Sequence, residues 1–117
     1  MDVFRARNAI IDDAQTYSGC AISAVEDNIE NIRLVTSQAA DEMLNIEGVK
    51  ASFVLYKNGG NINISARSYG EINVQLIMEA LGGGGHQTMS ACQLEDIEMQ
   101  SALDTLKNVI DEYMSNL

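Results

Sequence analysis

Residues 51–67 of the chain read ASFVLYKNGGNINISAR, and this stretch predicts the central β-hairpin of the fold. Its first six residues form an apolar run that is typical of a buried strand. Asn58-Gly59-Gly60-Asn61 follows and predicts a tight turn, because Asn and Gly tolerate positive φ. Side chains then alternate along residues 62–67 and lie on opposite faces of the predicted strand. The apolar face holds Ile62, Ile64 and Ala66, and the polar face holds Asn63, Ser65 and Arg67.

The segment before the hairpin predicts two helices and one strand. Residues 2–14 have apolar residues at helical spacing, with Asp2 as the N-cap. Residues 18–25 alternate weakly and predict a strand. We expect Asp27 to cap a helix of about 18 residues and Gly48 to end it.

The segment after the hairpin alternates between helix and strand. Residues 72–81 predict a helix that leads into a run of glycines, and residues 89–94 predict a short turn and a last strand. Residues 99–117 predict a final helix. The expected fold class is therefore α/β or α+β, a mixed β-sheet with a central hairpin, flanked by helices.

A chain of 117 residues with 46% hydrophobic residues is long enough for one domain with one core. We expect residues 1–15 to be a linker helix from a preceding domain and residues 16–117 to be the domain itself. The net charge of −10 opposes tight binding to long nucleic acids, but not to a small anion. Cys20 and Cys92 lack metal-ligand spacing and are interpreted as reduced thiols in or near the core. With no apolar run of about 18 residues, a cytoplasmic domain is expected, with any membrane anchor elsewhere in the parent protein.

Four consecutive glycines, residues 82–85, precede His86, the only histidine. Glycine costs conformational entropy, so a small domain keeps such a run where the backbone bends sharply or another group approaches closely. Consecutive free N–H groups can bind an anion, and an imidazole can add a donor. The run therefore indicates either a phosphate-binding loop or a flexible connector beside a surface histidine.

Arg67, with Ser65 and Ser68 beside it, is a second candidate for anion binding, because a guanidinium flanked by hydroxyls suits a phosphate. The alternative is a surface arginine paired with an acidic residue. Asn73 either orients a ligand or caps the next helix. A lone His86 cannot build a catalytic metal site, so no metal site is predicted. The two candidate segments meet only if the helix between them folds back across the sheet.

Three strings resemble the DHH-associated (DHHA) domain, the C-terminal half of DHH-family phosphoesterases: ISARS at residues 64–68, EINVQ at 71–75 and GGGGH at 82–86. The similarity extends over nearly the whole chain. Within that superfamily the chain is most similar to the membrane-bound cyclic di-AMP phosphodiesterases. Met89 and Ser90 depart from the family, which tends to have a small polar residue and alanine after the glycines.

The resemblance implies a division of labour. A preceding DHH domain in the same polypeptide would hold Mn²⁺ and hydrolyse the phosphodiester, while the DHHA domain binds the cyclic dinucleotide. The residues that it implies in substrate binding are Ser65, Arg67, Gly82, Gly83, Gly84, Gly85 and His86. Ser68 and Asn73 join them as candidate binding residues from the analysis of the sequence above. Because the chain contains no Asp-His-His stretch, we expect it to hold no cofactor and to lack hydrolytic activity alone.

Two other functions stay open. Related DHH enzymes act on oligonucleotides or short RNA, so the chain could be a nucleic-acid-binding module. Its negative net charge and its small number of Phe and Tyr residues, six in all, disfavour a surface on which the bases of a long nucleic acid would stack. Alternatively, the glycine run could dock a partner protein.

Overall fold

The computed structural model describes residues 2–117 as a six-stranded sheet with two helices on each face. The helices are α1 (Val3–Asp12), α2 (Ile32–Met43), α3 (Val74–Ala80) and α4 (Met99–Ser115), and the strands are β1 (Gln15–Tyr17), β2 (Cys20–Val25), β3 (Ala51–Asn58), β4 (Asn61–Ser68), β5 (Gly84–Gly85) and β6 (Met89–Leu94). The strand order is β1-β2-β3-β4-β6-β5. The pair β2–β3 runs parallel, and the other four pairs are antiparallel. The predicted mixed sheet, with a central hairpin and flanking helices, is confirmed.

The β3–β4 hairpin forms where the sequence predicts it. Asn58 pairs with Asn61, and Gly59 adopts a φ of 65° in the turn between them. Both strands are longer than predicted, because the asparagines themselves join the ladder. Alternation along β4 places Ser65 and Arg67 on one face of the sheet, as expected.

Helix α2, which connects the parallel strands β2 and β3, is shorter than predicted at both ends. It begins directly after Asn31 and not at Asp27, because Asn31 adopts a left-handed conformation (φ 56°) that a right-handed helix cannot continue through. It ends at Met43, and residues 44–46 continue as turns whose N–H groups bond to carbonyls three residues earlier. Those turns explain why the apolar pattern extends beyond the helix. Gly48 (φ 83°) lies past them, so it does not end the helix.

A short strand that the sequence does not predict, β1, precedes β2. Its three residues pair with β2 across a turn in which Ser18 and Gly19 both adopt positive φ (52° and 79°). Gln15 and Thr16 are exposed, so no apolar alternation marks the strand. The turn also takes the first two residues of the predicted strand, and β2 begins at Cys20 instead of residue 18.

Each face of the sheet has its own apolar core. Helices α3 and α4 cover one face along β2, β3, β4 and β6, with Phe53 and Leu106 fully buried there. Helices α1 and α2 cover the other face along β2 and β3. Among residues 2–117, the core under α1 and α2 takes no residue from β4, β5 or β6. Beyond α2 the face is open along β6, where Met89, Ala91 and Gln93 are exposed.

Two buried serines connect helices to the sheet on the α1–α2 face. The Ser23 hydroxyl donates to the carbonyl oxygen of Ile10 at 2.8 Å, and the Ser52 hydroxyl donates to that of Ala40 at 2.5 Å. Ile10 lies in the last turn of α1, where carbonyls have no partner within the helix. The Ser23 hydroxyl therefore satisfies a backbone group at a buried helix end.

The helices are amphipathic and pack on the sheet through one side. In α4, for example, the buried residues are Met99, Ala102, Leu106 and Ile110, which recur at helical spacing. Over residues 2–117, no helix combines the length and the hydropathy that a membrane crossing requires.

Candidate anion-binding site

The sheet face that carries α1 and α2 has a row of small residues across its last three strands. Ser65 of β4 pairs with Ala91 of β6, and Ala91 pairs on its other side with Gly84 of β5. Neighbouring strands lie about 4.8 Å apart, so the row spans about 10 Å. Because directly paired residues project to the same face, this row forms a flat floor, which we call the small-residue floor.

Arg67 lies in the next row on the same face, paired with Met89. The residue is only 8% exposed. Its Nη1 donates to the carbonyl oxygen of Ala66 at 2.8 Å. Its Nε lies 3.1 Å from Oδ1 of Asp41, but the N–H is not directed well enough for a hydrogen bond. Among residues 2–117, Nη2 has no partner, and a nearly buried guanidinium with an unused donor favours an anionic ligand.

The β5–β6 hairpin brings His86 into the row of Arg67. His86 and Met89 exchange two backbone hydrogen bonds, of 2.7 and 3.3 Å, and Met89 in turn pairs with Arg67. The strand that carries Ser65 and Arg67 and the segment that carries the glycines thus belong to one sheet. Helix α3 folds back between them, as their meeting requires.

The four glycines have different structural roles. A β-carbon at Gly83 would overlap the carbonyl oxygen of Ala91, and one at Gly85 would lie 2.6 Å from another carbonyl oxygen of β6. Gly85 (φ 147°) and Gly82 (φ 87°) also adopt backbone conformations that other residues rarely take. Gly84 has neither constraint, since no atom lies within 4 Å of a β-carbon built there. The run therefore packs against the sheet and is not a free connector. Of the four positions, only Gly84 could hold a larger residue without backbone strain or overlap.

A cavity of about 340 Å³ lies over the small-residue floor, with helix α2 as one wall. From the predicted site it is lined by Ser65, Arg67, Gly84 and Gly85, and it is further lined by Arg33, Ser37, Tyr56, Asn63, Ile64, Met89, Ser90, Ala91 and Cys92. The Asn63 amide donates to the Tyr56 hydroxyl at 3.3 Å.

Arg33 and Ser37 are cavity residues that the sequence analysis missed. With Asp41 they recur at every fourth position and so lie on one side of α2. That polar stripe is a signal in the sequence. By itself, however, it looks like the solvated side of any amphipathic helix.

Several predicted site residues lie outside the cavity lining: Ser68, Asn73, His86 and the first two glycines. The Ser68 hydroxyl donates to the carbonyl oxygen of Gln87 at 3.2 Å and so connects β4 to the turn between β5 and β6. Asn73 caps α3, because its Oδ1 accepts from two amides of the first turn at 3.1 and 3.3 Å.

A larger cleft of about 690 Å³ lies beside the β3–β4 turn, but its charge is wrong for an anion. Its lining includes Glu26, Asp96 and Glu98 against a single cation, Lys57. Nor do residues 2–117 bring three His, Cys, Asp or Glu side chains together around one metal position.

Comparisons with known proteins agree with this fold. A family model described as the DHHA1 domain matches residues 18–116. The cyclic-di-AMP phosphodiesterase GdpP of Geobacillus thermodenitrificans is 46% identical over 96 residues, which are 81% of this chain and 15% of that protein. GdpP of Bacillus subtilis is 43% identical over 117 residues, 97% of this chain and 18% of that protein. The chain therefore spans less than a fifth of the length of these curated relatives.

Among solved structures, an exopolyphosphatase-related protein from Bacteroides fragilis superposes with a TM-score of 0.83. The match covers 95% of this chain and 34% of that one, at 20% sequence identity. At this identity the likeness shows a shared fold alone.

Proposed function

Because the chain belongs to the DHHA1 domain family, we propose that it is the substrate-binding part of a DHH-family phosphodiesterase that hydrolyses cyclic di-AMP or a related dinucleotide. The substrate class follows the names of the relatives that are 46% and 43% identical. The observation that supports binding by this chain is the unused Nη2 of the nearly buried Arg67 beside the small-residue floor.

In this proposal Arg67 neutralises the charge of a phosphate and fixes its position. Its guanidinium is held by Ala66 and Asp41 before the ligand arrives, so little side-chain entropy is lost on binding. The Ser65 hydroxyl adds a donor from the floor, and Gly84 lets the ligand approach the backbone. His86, in the row of Arg67, adds a donor from the outer edge of the sheet.

The remaining predicted residues would act through the backbone that they hold in place. Ser68 connects β4 to the β5–β6 turn, and Asn73 fixes the start of α3. Gly82 and Gly83 allow the chain to pass from α3 into β5 in close contact with β6. These are positioning roles, and the direct contacts fall to Arg67, Ser65, Gly84, Gly85 and His86.

Hydrolysis itself would take place on metal ions held elsewhere. A preceding DHH domain in the same polypeptide would supply Mn²⁺, which activates the attacking water and polarises the phosphate. This chain would hold the phosphodiester in one orientation through Arg67 and the small-residue floor, and a fixed orientation lowers the entropic cost of the reaction. A cytoplasmic location of the domain, with any membrane anchor elsewhere in the parent, is part of the same proposal.

The proposal is tested by titrating the ¹⁵N-labelled chain with cyclic di-AMP and following its amide resonances. We expect shifts at Ser65, Arg67 and residues 84–86. Arg67→Ala should remove them, and Arg67→Lys, which keeps the charge but loses the planar fork, should weaken binding. Arg5→Ala is the matched control, because Arg5 is exposed on α1 and paired only with Asp2.

Two results would overturn the proposal. One is a set of shifts confined to α4, and the other is unchanged affinity in folded variants of Arg67. Tighter binding of a long single-stranded oligonucleotide than of cyclic di-AMP would instead favour the nucleic-acid-binding module.

A further inference from the structure

Arg33 lies on the same side of α2 as Asp41, the carboxylate that pairs with Arg67. Arg33 and Asp41 are eight positions apart, which corresponds to about 12 Å along the helix axis. Both arginines line the cavity over the small-residue floor. The Arg67 guanidinium of β4 therefore lies beside Asp41, and Arg33 lies about two turns away on α2, the helix that forms one wall of the cavity.

The charge of Arg33 is not neutralised by a neighbour. The ion pairs within residues 2–117 join Arg5 to Asp2, Lys50 to Glu71, Lys57 to Glu26 and Arg67 to Asp41, and none involves Arg33. The chain has 17 acidic residues and seven basic ones, yet none of the acidic residues among residues 2–117 forms an ion pair with Arg33. An unpaired guanidinium keeps all its donors for a ligand.

The two arginines differ in how they are held. Arg67 is nearly buried and fixed by two contacts, whereas Arg33 is exposed on the first turn of α2. Between them the cavity offers the hydroxyls of Ser37 and Ser65 and the amide of Asn63. This arrangement suits a ligand with two anionic groups, one for each guanidinium.

We propose that Arg33 binds the second phosphate of a ligand whose first phosphate is bound by Arg67. The inference rests on the proposed function and adds a specificity to it. A ligand with two phosphates engages both guanidinium groups, and a mononucleotide with one phosphate engages Arg67 alone. Arg33 thereby distinguishes dinucleotides from mononucleotides.

The test compares two ligands on three variants of the chain by NMR titration. In Arg33→Ala the affinity for cyclic di-AMP should fall about tenfold, the typical value of one charge-assisted contact. Its affinity for AMP should stay within about twofold, because AMP uses Arg67. Arg67→Ala should weaken both ligands, and Arg5→Ala, which removes the same charge from an exposed site on α1, should weaken neither.

The outcomes separate the two proposals. Equal losses of cyclic di-AMP and AMP binding in Arg33→Ala would mean general electrostatic attraction and would overturn the second-phosphate role. No loss of either ligand would overturn it as well. In both cases a loss in Arg67→Ala would leave the proposed function intact, whereas unchanged binding in that variant would count against the proposed function. Arg33→Gln, which keeps a polar side chain but removes the charge, should repeat the result of Arg33→Ala.

Discussion

Ser65 and Gly84 lie opposite the same residue, Ala91, on the two sides of strand β6. The strand predicted to bind an anion and the glycine run are therefore separated by a single strand. The three positions share one face of the sheet, so any side chain added at Gly84 would stand on the small-residue floor. Gly84 is therefore the glycine that borders the proposed ligand site, whereas Gly83 and Gly85 are needed for close packing against β6.

Gly84→Ala is expected to fold normally and to bind cyclic di-AMP poorly. Its β-carbon meets no atom within 4 Å, and alanine restricts the unfolded chain, so stability should change by less than about 1 kcal/mol. The methyl group would fill space over the floor, and overlap of this kind costs about 1–3 kcal/mol. We expect affinity to fall about fivefold or more. Thermal unfolding and NMR titration of the same sample check both halves of the prediction.

Gly85→Ala is expected to destabilise the fold itself. A β-carbon there would lie 2.6 Å from a carbonyl oxygen of β6, on a backbone with a φ of 147°. Overpacking of this kind costs about 1–3 kcal/mol before backbone strain is added. Urea unfolding should show a lower midpoint than in Gly84→Ala. Equal stability of the two variants would contradict the different roles of the two glycines.

Ser23→Ala is expected to lower the free energy of unfolding by about 1–3 kcal/mol, the cost of leaving a buried polar group without a partner. The hydroxyl of Ser23 bonds the carbonyl oxygen of Ile10 at 2.8 Å, at the buried end of α1. Ser115→Ala is the matched control, because the Ser115 hydroxyl bonds a carbonyl in the exposed last turn of α4. Chemical denaturation of both variants provides the comparison, and similar losses would argue against a special role for Ser23.

The two buried thiols should make the fold less stable at high pH. Burial raises the pKa of Cys20 and of Cys92 from 9.0 to about 11. Above pH 9 the unfolded chain releases protons that the folded chain keeps, so stability is fully present below pH 9 and is lost as the pH rises through about 11.

Urea unfolding between pH 8 and 10.5 measures this loss. In the double variant Cys20→Ala, Cys92→Ala, stability should fall less steeply with pH than in the original chain. The same slope in both would show that the thiols do not contribute. At neutral pH the thiols should also react slowly with iodoacetamide until the chain unfolds, since the thiolate is the reactive form.

The elements that the sequence predicts well are those whose signal is local. The β3–β4 turn carries Asn and Gly where positive φ is needed, and Asp2 caps α1 through a bond to the N–H of Arg5 at 2.8 Å. The common face of Ser65 and Arg67 follows from strand alternation. The start of α2 is missed, because asparagine permits the left-handed conformation that Asn31 adopts but does not require it.

The features that the sequence does not predict depend on pairing between distant segments. β1 forms because β2 offers it an edge, although Gln15 and Thr16 carry no apolar pattern. The small-residue floor exists because β6 inserts between β4 and β5, an order that the order of elements along the chain does not specify. Arg33 becomes a cavity residue only once α2 lies beside β4.

The sheet ends on each side in a very short strand, three residues in β1 and two in β5. A free edge of this length presents few unpaired backbone groups to another molecule, and short edge strands are one way in which proteins resist fibril growth. The interior strands, whose buried apolar residues contribute to both cores, lie between these two short borders. We therefore expect the domain not to aggregate at high concentration as long as β1 stays paired with β2 and β5 with β6.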